Sequence, residues 1–66
     1  MSFKEWLFVE LCNDGVFDED ENSLDDVTVA TLNSTHDFDT SELLIYKDRF
    51  ITKCRLAGKN PIWDVQ

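Results

Sequence analysis

The sequence predicts a small all-α domain of three helices, over residues 2–13, 23–33 and 40–57. Three observations predict it. Cap-like residues bracket the apolar-periodic stretches. Gly, Asn and Asp cluster between those stretches. The chain is 42% hydrophobic with eight aromatic residues, enough for a packed core. Sixty-six residues make one domain, 1–66, too short to bury more than about 60% of its unfolded surface.

The first helix opens at Ser2, with Glu5 at capping-box spacing. Phe3, Leu7 and Leu11 line one face, Trp6 and Cys12 border it, and Asn13-Asp14-Gly15 stops it. Trp6 to Val9 also has strand character, and Asp14-Gly15 is a hairpin signal. The alternative fold is therefore a small α+β domain with strands near 6–12 and 27–32. Caps at both ends favour the helix. Phe8 and Val9 are then surplus apolar residues for a partner or a self-interface.

Asp18 to Glu21 are four consecutive acids, which predicts a solvated loop tied down by Phe17. Asp18-x-Asp20-x-Asn22 resembles the opening of an EF-hand calcium loop. The required Gly and Glu are replaced by Ser23 and Val29, so no calcium site is expected. Ser23 caps a short second helix whose weak apolar face is Leu24, Val27, Ala30 and Thr31. Its β-branched run Val27-Thr28-Val29 is poor helix material.

The third helix carries the strongest signals. Asp39 and Glu42 form a capping-box pair, and Phe38 before them is placed to staple onto the first turn. Leu43, Tyr46, Phe50, Cys54 and Ala57 make one stripe, widened by Leu44 and Ile51. Gly58 and Pro61 end it. Ile62 and Trp63 are expected to fold back over the core. The expected core is Phe3, Leu7, Leu11, Phe17, Leu24, Val27, Leu43, Tyr46, Phe50, Cys54 and Trp63.

No catalytic, cofactor or metal site is expected. The chain has two glycines and no phosphate-cradling loop. Cys12 or Ser34 with His36 and an Asp makes a nominal triad, with no sign of a nucleophile turn or oxyanion hole. His36 is the single histidine and no Cys-x-x-Cys occurs, so Cys12 and Cys54 read as buried thiols. Neither a signal peptide, a myristoylation motif nor a membrane span is expected. The expected location is the cytoplasm of its own or an infected host cell.

The net charge is −8 and unevenly placed. Residues 1–42 hold twelve acids and one base, −11; residues 43–66 hold five bases and two acids, +3. Asp14, Asp18, Glu19, Asp20, Glu21, Asp25, Asp26, Asp37 and Asp39 form an acidic surface suited to a basic partner. Phe8, Val9 and Trp63 are apolar additions to it. The expected function is a non-enzymatic interaction module, a regulator or inhibitor of the kind phage or plasmid accessory genes encode. Its partner would be a larger basic protein, nucleic-acid-binding in the strict mimic version. The alternative is a nucleic-acid-binding or transcription-associated domain that uses Lys47, Arg49, Lys53, Arg55 and Lys59 as a basic face. The net charge opposes it. A third reading is a structural homo-oligomer, a homodimer in its smallest form, that buries Phe8, Val9 and Ile45.

Overall fold

The computed structural model describes residues 1–36 and 38–65, Thr35 by its backbone alone. Among the described residues three α-helices and one 3-10 turn follow in order: α1 (Phe3–Asn13), the turn Leu24–Asp26, α2 (Val29–Thr35) and α3 (Thr40–Ala57). Residues 6–12 and 29–32 are helical, and no strand occurs among the described residues, so the all-α expectation stands over the α+β alternative.

Local signals set both ends of α3. Asp39 Oδ1 accepts from the Glu42 N–H at 3.0 Å. At the other end Gly58 takes φ 67°. Its N–H donates to Arg55 O, and Lys59 N–H donates to Cys54 O at 2.9 Å. That pairing is a Schellman closure, which satisfies carbonyls that a helix end leaves orphaned. Tyr46, Phe50 and Cys54 recur every fourth residue and are buried along one line. Leu43 is half-buried beside them. Leu44 and Ile51 do not widen this stripe; they lie on the solvent side of the helix.

α1 buries Phe3, Leu7 and Leu11 against α3. Ser2 Oγ accepts from the Glu5 N–H at 3.3 Å. Gly15, at φ 79°, turns the chain after α1, and Val16 and Phe17 both donate to Leu11 O.

The second predicted helix divides. Leu24–Asp26 is a single 3-10 turn, Val27 breaks the path at ψ 75°, and Thr28 starts α2 by accepting from the Thr31 N–H at 3.1 Å. Burying Val27 completely while capping a new helix with Thr28 uses the β-branched run better than continuing through it. Leu24 consequently stays 41% exposed, outside the core. Leu32 and Phe38, absent from the expected set, are buried instead. The Phe38 N–H donates to Leu32 O, and its ring lies 5.4 Å from that of Tyr46, which joins the end of α2 to α3.

The C-terminal segment does fold back. Ile62 N–H donates to Met1 O, and Phe3 N–H donates to Ile62 O, both at 2.9 Å, forming an isolated parallel bridge. Trp63 covers the core from outside rather than entering it. It remains 44% exposed, with its ring 5.2 Å from Phe3 and 5.4 Å from Phe50. Lys47 Nζ lies 4.9 Å from the Trp63 ring. Asp64 then caps α1 from sixty residues away. Its Oδ1 accepts from the Lys4 N–H at 2.8 Å, and its Oδ2 accepts from the Ser2 hydroxyl. A carboxylate there also complements the positive end of the helix dipole.

Burial alone would raise the Asp64 pKa. The Ser2 and Lys4 hydrogen bonds, with the Lys4 charge, outweigh it and hold the carboxyl below its usual range. A depressed carboxyl stabilises the fold above its unfolded pKa of about 3.9 and loses that effect as pH falls through the lower folded value. Asp64→Ala should therefore lower the thermal midpoint at pH 7 by about 4–8 °C, the shift for about 1 kcal/mol of lost capping in a domain this size. The gap between variant and parent should close as pH drops from about 4 towards 2. Melting curves of both proteins across that range test it; a gap independent of pH would contradict the capping role.

Candidate docking surface

The loop between α1 and α2 is held at both ends by the core. Phe17 and Val27 are both buried. The Phe17 ring lies 6.0 Å from Phe8 and 4.8 Å from His36. Phe8 is thus part of the packing under this loop. Val9 remains exposed on α1.

Between the anchors, the loop is closed by its own polar groups. Asp18 O accepts from the N–H groups of Glu21 and Asn22, at 3.0 and 2.7 Å. Asp18 Oδ1 accepts from the Asp20 N–H, and Asn22 Oδ1 accepts from the Asp18 N–H. Asp26 Oδ2 accepts from the Ser23 N–H at 2.9 Å. Asp18 and Asn22, two of the residues that resemble calcium ligands, are turned onto the backbone. Among the described residues no group of three His, Cys, Asp or Glu converges as metal ligands would.

The acidic residues therefore divide by what they do. Asp14 accepts from the Tyr46 hydroxyl and lies 4.0 Å from Arg49 Nη1. Asp18 and Asp26 shape the loop, and Asp39 caps α3. Glu19, Asp20, Glu21 and Asp25 are exposed, and their side chains make no hydrogen bond or ion pair among the described residues. Asp37 lies outside the described residues. Cys12, Asn13, Gly15, Phe17, Asp18 and Glu19 line an open cleft of about 440 Å³ at the start of the loop. Cys12 is half-buried there and Cys54 fully buried, both as free thiols. Burial first, and then the charges of Glu19 and Asp18, push the Cys12 thiol pKa up, which disfavours the reactive thiolate.

The five bases are not gathered on one face. At about 100° per residue, residues two apart lie nearly opposite on a helix. Lys47 thus points away from Arg49, and Lys53 away from Arg55. Lys47 sits over Trp63, and Arg49 lies 5.0 Å from the Tyr46 ring. Lys59 follows the helix, beside a groove lined by Met1, Trp6 and Val9. Leu44, Ile45, Ile51 and Leu56 are all exposed on α3; the sequence placed Ile45 in a self-interface but put Leu44 and Ile51 beside the core stripe and gave Leu56 no role.

No helix among the described residues is long and apolar enough to cross a membrane. No protein-family model, curated protein or solved structure matches the chain.

Asp14 also tunes Tyr46. Burial raises the phenol pKa, the hydrogen bond to Asp14 and its negative charge add to this, and Arg49 partly offsets them, giving about 12. The neutral phenol stabilises the fold fully below its unfolded pKa of about 10, and this is lost as pH rises towards 12. Tyr46 is the single tyrosine in the chain. Its ultraviolet titration should have a midpoint near 12, and Asp14→Asn should move that midpoint towards 10. An unshifted midpoint in the variant would remove Asp14 from this role.

Proposed function

We propose that this chain is a non-enzymatic interaction module, a small regulator or inhibitor that docks a larger basic protein through its acidic loop. One observation supports this above the rest. Glu19, Asp20, Glu21 and Asp25 are displayed on a loop whose neighbouring carboxylates, Asp18 and Asp26, hold its shape. Pre-organisation lowers the ordering cost of binding, and clustered like charge speeds encounter with an opposite surface. The dispersal of the bases and the net charge of −8 favour this over nucleic-acid binding.

Neutralising the four displayed acids, as Glu19→Gln, Asp20→Asn, Glu21→Gln and Asp25→Asn together, should abolish capture of the basic partner. The thermal midpoint should stay level or rise, because those side chains hold no part of the fold and repel one another. Lys53→Ala with Arg55→Ala should leave capture intact. Affinity capture with each protein at about 50 mM and about 500 mM salt, which spans weak and strong screening, reads all three. Equal capture by parent and neutralised variant would overturn the proposal, as would capture insensitive to salt.

A further inference from the structure

The outer side of α3 carries four exposed large apolar residues among its polar ones. Tyr46, Phe50 and Cys54 define the side turned to the core. Leu44, Ile45, Ile51 and Leu56 lie more than about 90° around the helix from Phe50. Leu44 is 59% exposed and Leu56 84% exposed, values unlike core residues. Between them on the same side are Asp48 and Arg55, two turns apart. Neither side chain makes an ion pair or hydrogen bond among the described residues. Two opposite charges flanked by apolar residues, and too far apart to meet each other, leave room for opposite charges from elsewhere.

A second copy of the same helix supplies them. We propose that α3 pairs antiparallel with α3 of a second copy, about a two-fold axis near residue 50, to form a homodimer. Such an axis brings residue i level with residue 100 − i, so Ile45 of one copy and Leu56 of the other, which share one edge of the face, meet across it. Asp48 then falls within one turn of Arg55 of the second copy, and the same contact repeats by symmetry, as an isologous interface requires. The acidic first turn of each helix, with Asp39 and Glu42, lies beside the basic end of the other, with Arg55 and Lys59. The helix dipoles also oppose, which a parallel pair would not achieve. α3 has 18 residues and is about 27 Å long, so one helix pair buries less than a standard stable interface. Dimerisation is accordingly concentration-dependent. It does not rest on the acidic-loop reading, since none of the interface residues belongs to that loop.

Sedimentation at about 150 mM salt, from about 10 μM to about 1 mM, spans the range where small interfaces half-saturate. The mass should climb from the 7.7 kDa of the chain towards twice that value. Asp48→Arg alone, or Arg55→Asp alone, should weaken dimerisation at least about tenfold, since like charges then face each other twice. The exchanged variant carrying both substitutions should recover to within about threefold of the parent, because the pairing is restored with its signs reversed. In a parallel dimer each residue faces its own copy, so the single substitutions would change little. Leu56→Asp should give a monomer at every concentration, with the parent's thermal midpoint at about 10 μM, where the parent is monomeric too, as the residue has no core contact to lose. A 7.7 kDa mass at every concentration, or an exchanged variant as weak as the single ones, would overturn the proposal.

Discussion

The Phe3 ring lies within 6.0 Å of Trp6, 5.1 Å of Phe50 and 5.2 Å of Trp63, so α1, α3 and the returning C-terminal segment meet on one side chain. The contacts continue from Trp6 to Tyr46 and from Tyr46 to Phe38, ending where α2 gives way to α3. Six of the eight aromatic residues thus form one connected body. A domain of this length has few residues to spare for a core, and rings bury the most area per residue ordered. The terminal bridge adds two backbone hydrogen bonds and one carboxylate cap. Those polar contacts are exposed and weak alone. They hold because Trp63 is seated on Phe3 and Phe50 beside them.

What could be read in advance follows from the range of each interaction. Asp39 with Glu42, and Gly58 after Ala57, are satisfied within four residues, so the bounds of α3 were legible. The break at Val27 was not, because it depends on the complete burial of that side chain in the folded core, which no local pattern encodes. The cap on α1 was half legible. Ser2 was placed correctly, while Asp64 reaches it through a chain reversal that no local pattern encodes. Period alone places Leu44 and Ile51 at the border of the apolar stripe and not in the expected core. Periodicity tells which residues share a side of a helix but not how wide the neighbouring element is, and α1 covers only the strip from Tyr46 to Cys54.

The acidic surface shows the same limit in charge. Twelve acids against one base in the first 42 residues is a sequence fact. Which acids are available to a partner is not. Asp39 could be assigned to a cap by its spacing from Glu42, and it was still counted in the surface. Asp14 reaches Tyr46 across 32 residues. Asp18 and Asp26 bind backbone N–H groups in geometries that depend on the turn they create. The displayed set, Glu19, Asp20, Glu21 and Asp25, emerges by subtraction once those contacts are in place.

The two proposed surfaces fit one arrangement. α1 packs on both α3 and the Leu24–Asp26 turn, and none of the four displayed acids belongs to α3. Each copy carries −8, and two copies repel unless they approach through the part of the surface poorest in acids. That part is α3 beyond Glu42, where residues 43–66 hold +3 and the central strip offers one charge of each sign. Pairing there leaves both acidic loops uncovered and fixes their separation. A partner that is itself dimeric, or that repeats along a filament, would then meet two loops at once. Its second contact would form at the effective concentration set by a rigid link, which raises avidity without a new contact on either loop. A monomeric partner would gain nothing from the pairing, so the form of the partner, and not the chemistry of the loop, decides whether the dimer matters.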